Sequence, residues 1–139
     1  MLTHMSISAH LQSAGLRATP KRIAIGGLLF DGTDRHVTAD DVAALARKAG
    51  VRVSLATVYN TLNQFVAAGL MKRITLDPDR TYFDTNVSDH HHFFFEDDGK
   101  LHDIPGHSVK VEGLPPVPAG SKVRSVEVIV RMAGDRKGR

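Results

Sequence analysis

Apolar residues recur at helical spacing through the first half of the chain and alternate in the manner of strands through the second. Leu55, Val58, Leu62 and Phe65 predict one apolar stripe on a helix that Ser54 caps and Gly69 closes. The opposite face carries Thr57, Asn60 and Gln64, with Tyr59 and Asn63 at its edges. These are uncharged hydrogen-bonding groups, not the Glu/Lys mixture of an ordinary solvated face. Base edges offer donors, acceptors and thymine methyls, so this face suits direct readout in a DNA groove. A half-buried helix with a polar back is the other reading of the segment taken alone.

Upstream, Ser8 to Ala14 predicts a short helix closed by Gly15. Thr19-Pro20 supplies the cap and first position of a second helix, which runs through Ile23, Ile25 and Leu28 to about Phe30. Gly26-Gly27 within it implies close packing against a neighbour. Thr38 caps a third helix with Val42, Leu45 and Ala46, ending at Gly50, and His36 falls in the loop before it. After the short link Val51-Arg52-Val53 comes the polar-faced helix. Two helices joined by a short turn, the second facing outward, form a helix-turn-helix.

Met71–Leu76 and Thr81–Phe83 predict a hairpin around Asp77-Pro78-Asp79-Arg80, where proline presets one dihedral and the aspartates bond locally. This is the wing expected beside such a helix pair. A second unit begins near Asn86. Phe93-Phe94-Phe95, the turn Asp97-Asp98-Gly99 and Leu101–Ile104 predict another hairpin, and Lys122–Met132 predicts a further strand after a Pro/Gly-rich connection from Pro105 to Gly120. Three strands alone form a marginal sheet, which implies a homodimer. The tail Asp135–Arg139 is expected to be disordered. The resulting fold class is α+β: an N-terminal winged helix-turn-helix domain, residues 1–85, followed by a small α/β dimerisation and sensing domain with a short antiparallel sheet, residues 86–139.

Composition narrows the function classes. The chain has 139 residues and no cysteine. Disulfides and thiolate metal sites are therefore excluded, and a cytoplasmic location is expected. No apolar run approaches the roughly 20 residues that span a bilayer, and no secretory signal is seen at the N-terminus. The formal net charge is +3 and the pI about 9.4. All of the excess lies in the first half: ten Lys/Arg against seven Asp/Glu up to Val87, and eight of each from Ser88 onward. The positive half is the one with the polar-faced helix, which favours double-stranded promoter DNA as partner. Arg17, Lys21, Arg22, Arg52, Lys72, Arg73 and Arg80 are the candidate phosphate anchors.

His90-His91-His92 is the other informative motif. In an extended segment His90 and His92 share one face and His91 takes the other. Neutral imidazole ligates Fe, Zn and related metals. With Asp84 upstream and His36 in its loop, a mixed N/O metal site of His36, Asp84, His90 and His92 bridging the two units is expected; a polar run at an inter-domain junction is the alternative. His4, His10, His102 and His107 are expected to be surface residues. No HExxH pair or Ser/His/Asp order is present.

The segments Thr-Pro-Lys-Arg at 19–22, His-Val-Thr-Ala-Asp at 36–40, Ser-Leu-Ala-Thr-Val-Tyr-Asn-Thr-Leu-Asn-Gln-Phe at 54–65, Ala-Gly-Leu at 68–70 and Tyr-Phe-Asp at 82–84, followed by the His triplet, resemble the ferric uptake regulator family from Ala14 to Ile104. Within it, the stretches around Tyr82–Ser88 and His90–Phe94 look most like the iron response regulator branch. The resemblance implies a dimeric winged-helix repressor or activator controlled by iron. It implies base contacts by Tyr59 and Thr57 within a reading surface of Ser54, Ala56, Thr57, Tyr59 and Asn60, and a minor-groove contact by Lys21. It also implies a regulatory site for Fe²⁺, Mn²⁺ or Zn²⁺ with His36, Asp84 and His92 as ligands. The family's fourth ligand falls on Phe94 here, with His90 as the substitute. The structural zinc site that the family builds from cysteines cannot form in a chain without them. An acidic ligand of the family's dimer-domain site falls on Phe93, and its long dimer helix is shortened to the Pro-rich connection. The iron response branch adds haem as a candidate ligand of His90, His91 and His92, flanked by Phe93–Phe95. The competing functions are a helix-turn-helix regulator of a small organic ligand and a His/Asp metalloenzyme.

Overall fold

A computed structural model describes residues 4–134 and divides the chain into two compact units between Val87 and Ser88. The expectations for the side chain of His4 and for the tail at 135–139 lie outside the described residues. The architecture is α+β.

The first unit opens with α1 (His4–Ser13), α2 (Pro20–Leu29), β1 (His36–Val37), α3 (Ala39–Lys48) and α4 (Leu55–Ala67). Local chemistry sets these boundaries. Thr19 Oγ1 accepts from the Arg22 amide, with Pro20 at the first helical position, and Phe30 caps the other end. Thr38 and Asp41 form a reciprocal capping box: Asp41 N–H donates to Thr38 Oγ1 at 3.1 Å, and Thr38 N–H to Asp41 Oδ2 at 2.9 Å. Ser54 Oγ accepts from the Thr57 amide at 3.0 Å. Gly50 and Gly69, at φ +76° and +81°, take the left-handed conformation that ends α3 and α4 without a Cβ clash.

Ile7, Leu11, Ile25, Leu29, Val42, Val58, Leu62 and Phe65 close the core of this unit. The predicted α4 stripe needs one correction. Val58, Leu62 and Phe65 are buried, but Leu55 is 49% exposed, and the buried Thr61 satisfies its hydroxyl by donating to the Thr57 carbonyl at 2.8 Å. The glycine pair also splits. A Cβ on Gly26 would meet Ile7 Cγ2 at 3.2 Å, as expected of close packing, whereas Gly27 faces open space.

The wing is β2 (Lys72–Asp77) and β3 (Arg80–Asp84), joined by the predicted turn. Asp79 N–H donates to Asp77 Oδ1 at 2.9 Å, and Arg80 pairs with Asp77 at 3.4 Å. A third strand joins them. His36–Val37 is not loop but β1, antiparallel to β3, giving the order β1-β3-β2. Two residues escape detection by periodicity. The pairing is reinforced outside the strand, where Arg35 N–H donates to Thr85 Oγ1 and Thr85 N–H to the Arg35 carbonyl.

The second unit is a sheet of order β5-β4-β6, with β4 at His90–Phe95, β5 at Lys100–Pro105 and β6 at Ile129–Met132. The β4–β5 hairpin is antiparallel, as predicted. β6 pairs with β4 in parallel, because the long connection after β5 lets the chain return from the other end. The strand predicted over 122–132 is restricted to its last four residues. Among the described residues this unit contains no α-helix, only a 3-10 turn at Gly106–Ser108. Gly106 is required there: a Cβ would stand 2.6 Å from the Asp89 carbonyl oxygen.

Candidate metal ligands and nucleic-acid surface

Strand register assembles the first pair of candidate ligands. His36 and Asp84 are directly opposed on β1 and β3, and His36 Nε2 lies 3.2 Å from Asp84 Oδ2. The Asp84 side chain is fully buried, and its other oxygen accepts the Asn86 amide at 2.9 Å. One carboxylate oxygen is thus held by backbone while the other faces imidazole.

Alternation along β4 assembles the second set. His90 and His92 share a face, with ring centroids 4.5 Å apart. Their Nε2 atoms lie 3.5 and 3.3 Å from one atom, Asp103 Oδ1. One ligand atom from each of these three side chains falls within 4.8 Å of the others. Sequence reasoning missed Asp103. The hairpin register sets it opposite His92, and that register follows from the turn at Asp97-Asp98-Gly99.

The proton inventory of His90 favours a cation here. Its Nδ1 lies 2.6 Å from the Ser88 carbonyl oxygen, an acceptor only, so Nδ1 carries the hydrogen and donates it. A neutral ring then presents an Nε2 lone pair toward the Asp103 carboxylate. A metal ion between the two would turn that contact from repulsive to attractive. An N–H fixed on a backbone carbonyl, leaving the other nitrogen to ligate, is the arrangement metal-binding histidines adopt. The donor set of imidazole and carboxylate suits divalent Fe, Mn or Zn.

His91 points away from this group. Its Nδ1 accepts the Val128 amide at 2.9 Å and so ties β4 to the segment entering β6. The three phenylalanines do not form one platform either. Phe94 is fully buried on the His90/His92 side, while Phe93 and Phe95 lie on the other. Phe94 supplies no ligand atom at the position where the resemblance expects one. His102 and His107 are exposed, as expected, with His102 edge-on to Phe95. His10 is half-buried, edge-on to Phe30 at 5.0 Å, rather than a surface residue.

In the first unit the polar face of α4 is turned outward. Ser54, Ala56, Tyr59, Asn60 and Gln64 are exposed, and Thr57 and Asn63 are half-buried. Tyr59 stands edge-on to Phe83 at 5.9 Å, which orients its ring. Of the candidate phosphate anchors, Arg17, Lys21, Arg52, Arg73 and Arg80 are exposed, and Arg22 and Lys72 are half-buried. Several are already engaged. Arg22 donates to Gln64 Oε1 and the Arg17 carbonyl, Arg73 to Asn63, and Arg80 pairs with Asp77. Lys21 and Arg52 share a recess with Arg47 and the α4 N-terminus. Among the described residues no helix is long and apolar enough to cross a membrane.

Comparison with known proteins bears on both surfaces. The sequence profile of the ferric uptake regulator family matches residues 13–130. The chain is 39% identical over 95 residues to the ferric uptake regulation protein of Pseudomonas aeruginosa, covering 68% of this chain and 71% of that one. It is 36% identical over 96 residues to the peroxide-responsive repressor PerR of Staphylococcus aureus, covering 69% of this chain and 64% of the repressor. The chain thus spans slightly less than two thirds of the staphylococcal protein. The solved structure of the Pseudomonas aeruginosa ferric uptake regulator with manganese superimposes with a TM-score of 0.69 at 27% identity, covering 94% of this chain and 98% of that one.

Proposed function

Since the chain belongs to the ferric uptake regulator family, whose members are transcription regulators and not enzymes, we propose that it binds promoter DNA as a homodimer in the cytoplasm and is switched by a divalent metal ion. Family membership removes the metalloenzyme alternative. The observation that carries the DNA half is the outward polar face of α4, where Tyr59 and Asn60 are exposed beside Thr57. Ser54, Ala56, Thr57, Tyr59 and Asn60 read base edges, and Arg17, Lys21, Arg22, Arg52, Lys72, Arg73 and Arg80 supply affinity through phosphates.

The regulatory ion is held by His36 and Asp84 of the first unit together with His90, His92 and Asp103 of the second. Each set supports this by itself, through its imidazole–carboxylate contacts and through the Nδ1–H of His90 committed to Ser88. Asp103 takes the part that Phe94 cannot. An ion held by both sets restricts the angle between the units, and an ion that prefers one angle shifts the population toward it. The unit up to Val87 is the reading domain and the unit from Ser88 the dimerisation and sensing domain, a division two residues beyond the expected one at 85/86.

Haem is the less favoured ligand. His90, His91 and His92 are 7%, 8% and 4% exposed, and two of them face Asp103, so a porphyrin meets no open imidazole. A Soret shift with haemin that disappears on replacing all three histidines with Ala would place the chain in the iron response regulator branch. The deciding experiment is a gel shift on a duplex selected from a random pool, with and without Fe²⁺, Mn²⁺ or Zn²⁺. Metal-dependent retardation is expected in the wild type and is lost in His36→Ala. Retardation indifferent to metal in both would overturn the switch.

A further inference from the structure

We propose that Leu55 is a specificity residue that reads thymine through its C5-methyl group. The inference deepens the DNA-binding reading and rests on it. Leu55 opens α4, yet the core closes without it: Val58, Leu62 and Phe65 are all at 0% exposure while Leu55 remains half in solvent. Its neighbours on the same end of the helix are the exposed Ala56 and the 41%-exposed Tyr59. A leucine at this place contributes nothing to capping, which Ser54 already provides.

In a helix-turn-helix the N-terminal residues of the second helix meet base edges. In the major groove the thymine methyl is the one apolar group on those edges. Leucine has no donor or acceptor, so its available counterpart there is that methyl. Leu55 and Tyr59 line a cleft of about 260 Å³ whose walls also carry Asp40, Asp79 and Arg80. Charge of both signs surrounds Leu55, and its own side chain offers a methyl an apolar contact.

The test uses the full chain supplied with Mn²⁺ and a duplex selected from a random pool. Each thymine is replaced in turn by deoxyuridine, which deletes the methyl and nothing else. At one or more positions the wild type should lose about fourfold in affinity, the worth of one buried methyl. Leu55→Ala should bind the two duplexes alike at that position, and Leu55→Met should retain the preference. Tyr59→Ala should also retain it there, which separates the two residues. The proposal is overturned if Leu55→Ala keeps the full thymine preference everywhere, if the wild type shows none, or if Leu55→Ala melts several degrees lower, which would return Leu55 to the core. A wild type that selects no sequence at all would instead remove the DNA reading, and this inference with it.

Discussion

His90 and His92 both direct Nε2 at a single oxygen of Asp103, at 3.5 and 3.3 Å. Two imidazoles on one carboxylate oxygen, with one ring already donating its Nδ1–H, make Asp103 the residue on which the second set of candidate ligands turns. Asp103→Asn keeps the shape and removes the charge. It should weaken Mn²⁺ binding by at least roughly 10- to 100-fold, the cost of losing even an outer partner of a ligand, read by competition with a chelator. Unchanged affinity would remove Asp103 from the site.

His91 does a different job from its neighbours. His91→Phe leaves the Val128 amide without its acceptor, and an unsatisfied half-buried N–H costs about 1–3 kcal/mol. Denaturant unfolding should show that loss, and hydrogen exchange at Val128 should accelerate, while metal stoichiometry stays the same.

The adjacent glycines of α2 should respond differently to the same substitution. Gly27→Ala adds a methyl to open space in a helix and should stabilise by about 0.8–1.0 kcal/mol. Gly26→Ala places a Cβ 3.2 Å from Ile7 Cγ2 and should give clearly less, or a loss. Thermal melts of the two variants side by side decide it; equal gains would contradict the packing described.

Asp31 should titrate abnormally low. The Arg35 side chain, donating at 2.6 Å, and the Thr33 amide hold its carboxyl at about 2, down from 3.8. Because the folded value is depressed, the contribution of the pair is complete above the ordinary carboxylate range and fades as pH falls toward 2. Carbon-13 titration of the Asp31 carboxyl should show this midpoint, and Arg35→Ala should return it toward 3.8.

Tyr59→Ala should cost roughly 1–3 kcal/mol on a selected duplex and much less on random DNA. Lys72→Ala should weaken both alike and flatten the salt dependence. Equal losses on both duplexes for Tyr59→Ala would contradict base reading; a lowered melting temperature would trace its effect to the Phe83 contact instead.

The helices were legible because each boundary has a local cause. Thr19, Thr38 and Ser54 cap, Pro20 starts, and Gly15, Gly50 and Gly69 stop. Both hairpins were legible from their turn residues. What escaped depends on pairing across sequence. β1 has two residues and exists only because β3 lies beside it, so no periodicity announces it. Leu55 fitted the stripe by spacing, but the first turn of α4 projects beyond the core, and a stripe does not show where its packing partner ends.

The metal candidates show the same division. His90 and His92 stood out in the triplet, Asp84 by lying close upstream of it, and His36 as a histidine in the loop before α3. Asp103 did not, because an aspartate on a polar strand face resembles any other. Counting outward from the turn at Gly99 pairs it with His92, a signal that register carries and composition does not.

Along β4, His90 and His92 grip Asp103 from one side of the ribbon, and His91 between them grips Val128 from the other. A ribbon cannot roll one edge without rolling its reverse. Movement of the outer two rings would therefore reach Val128, just ahead of β6, with the middle histidine as the lever.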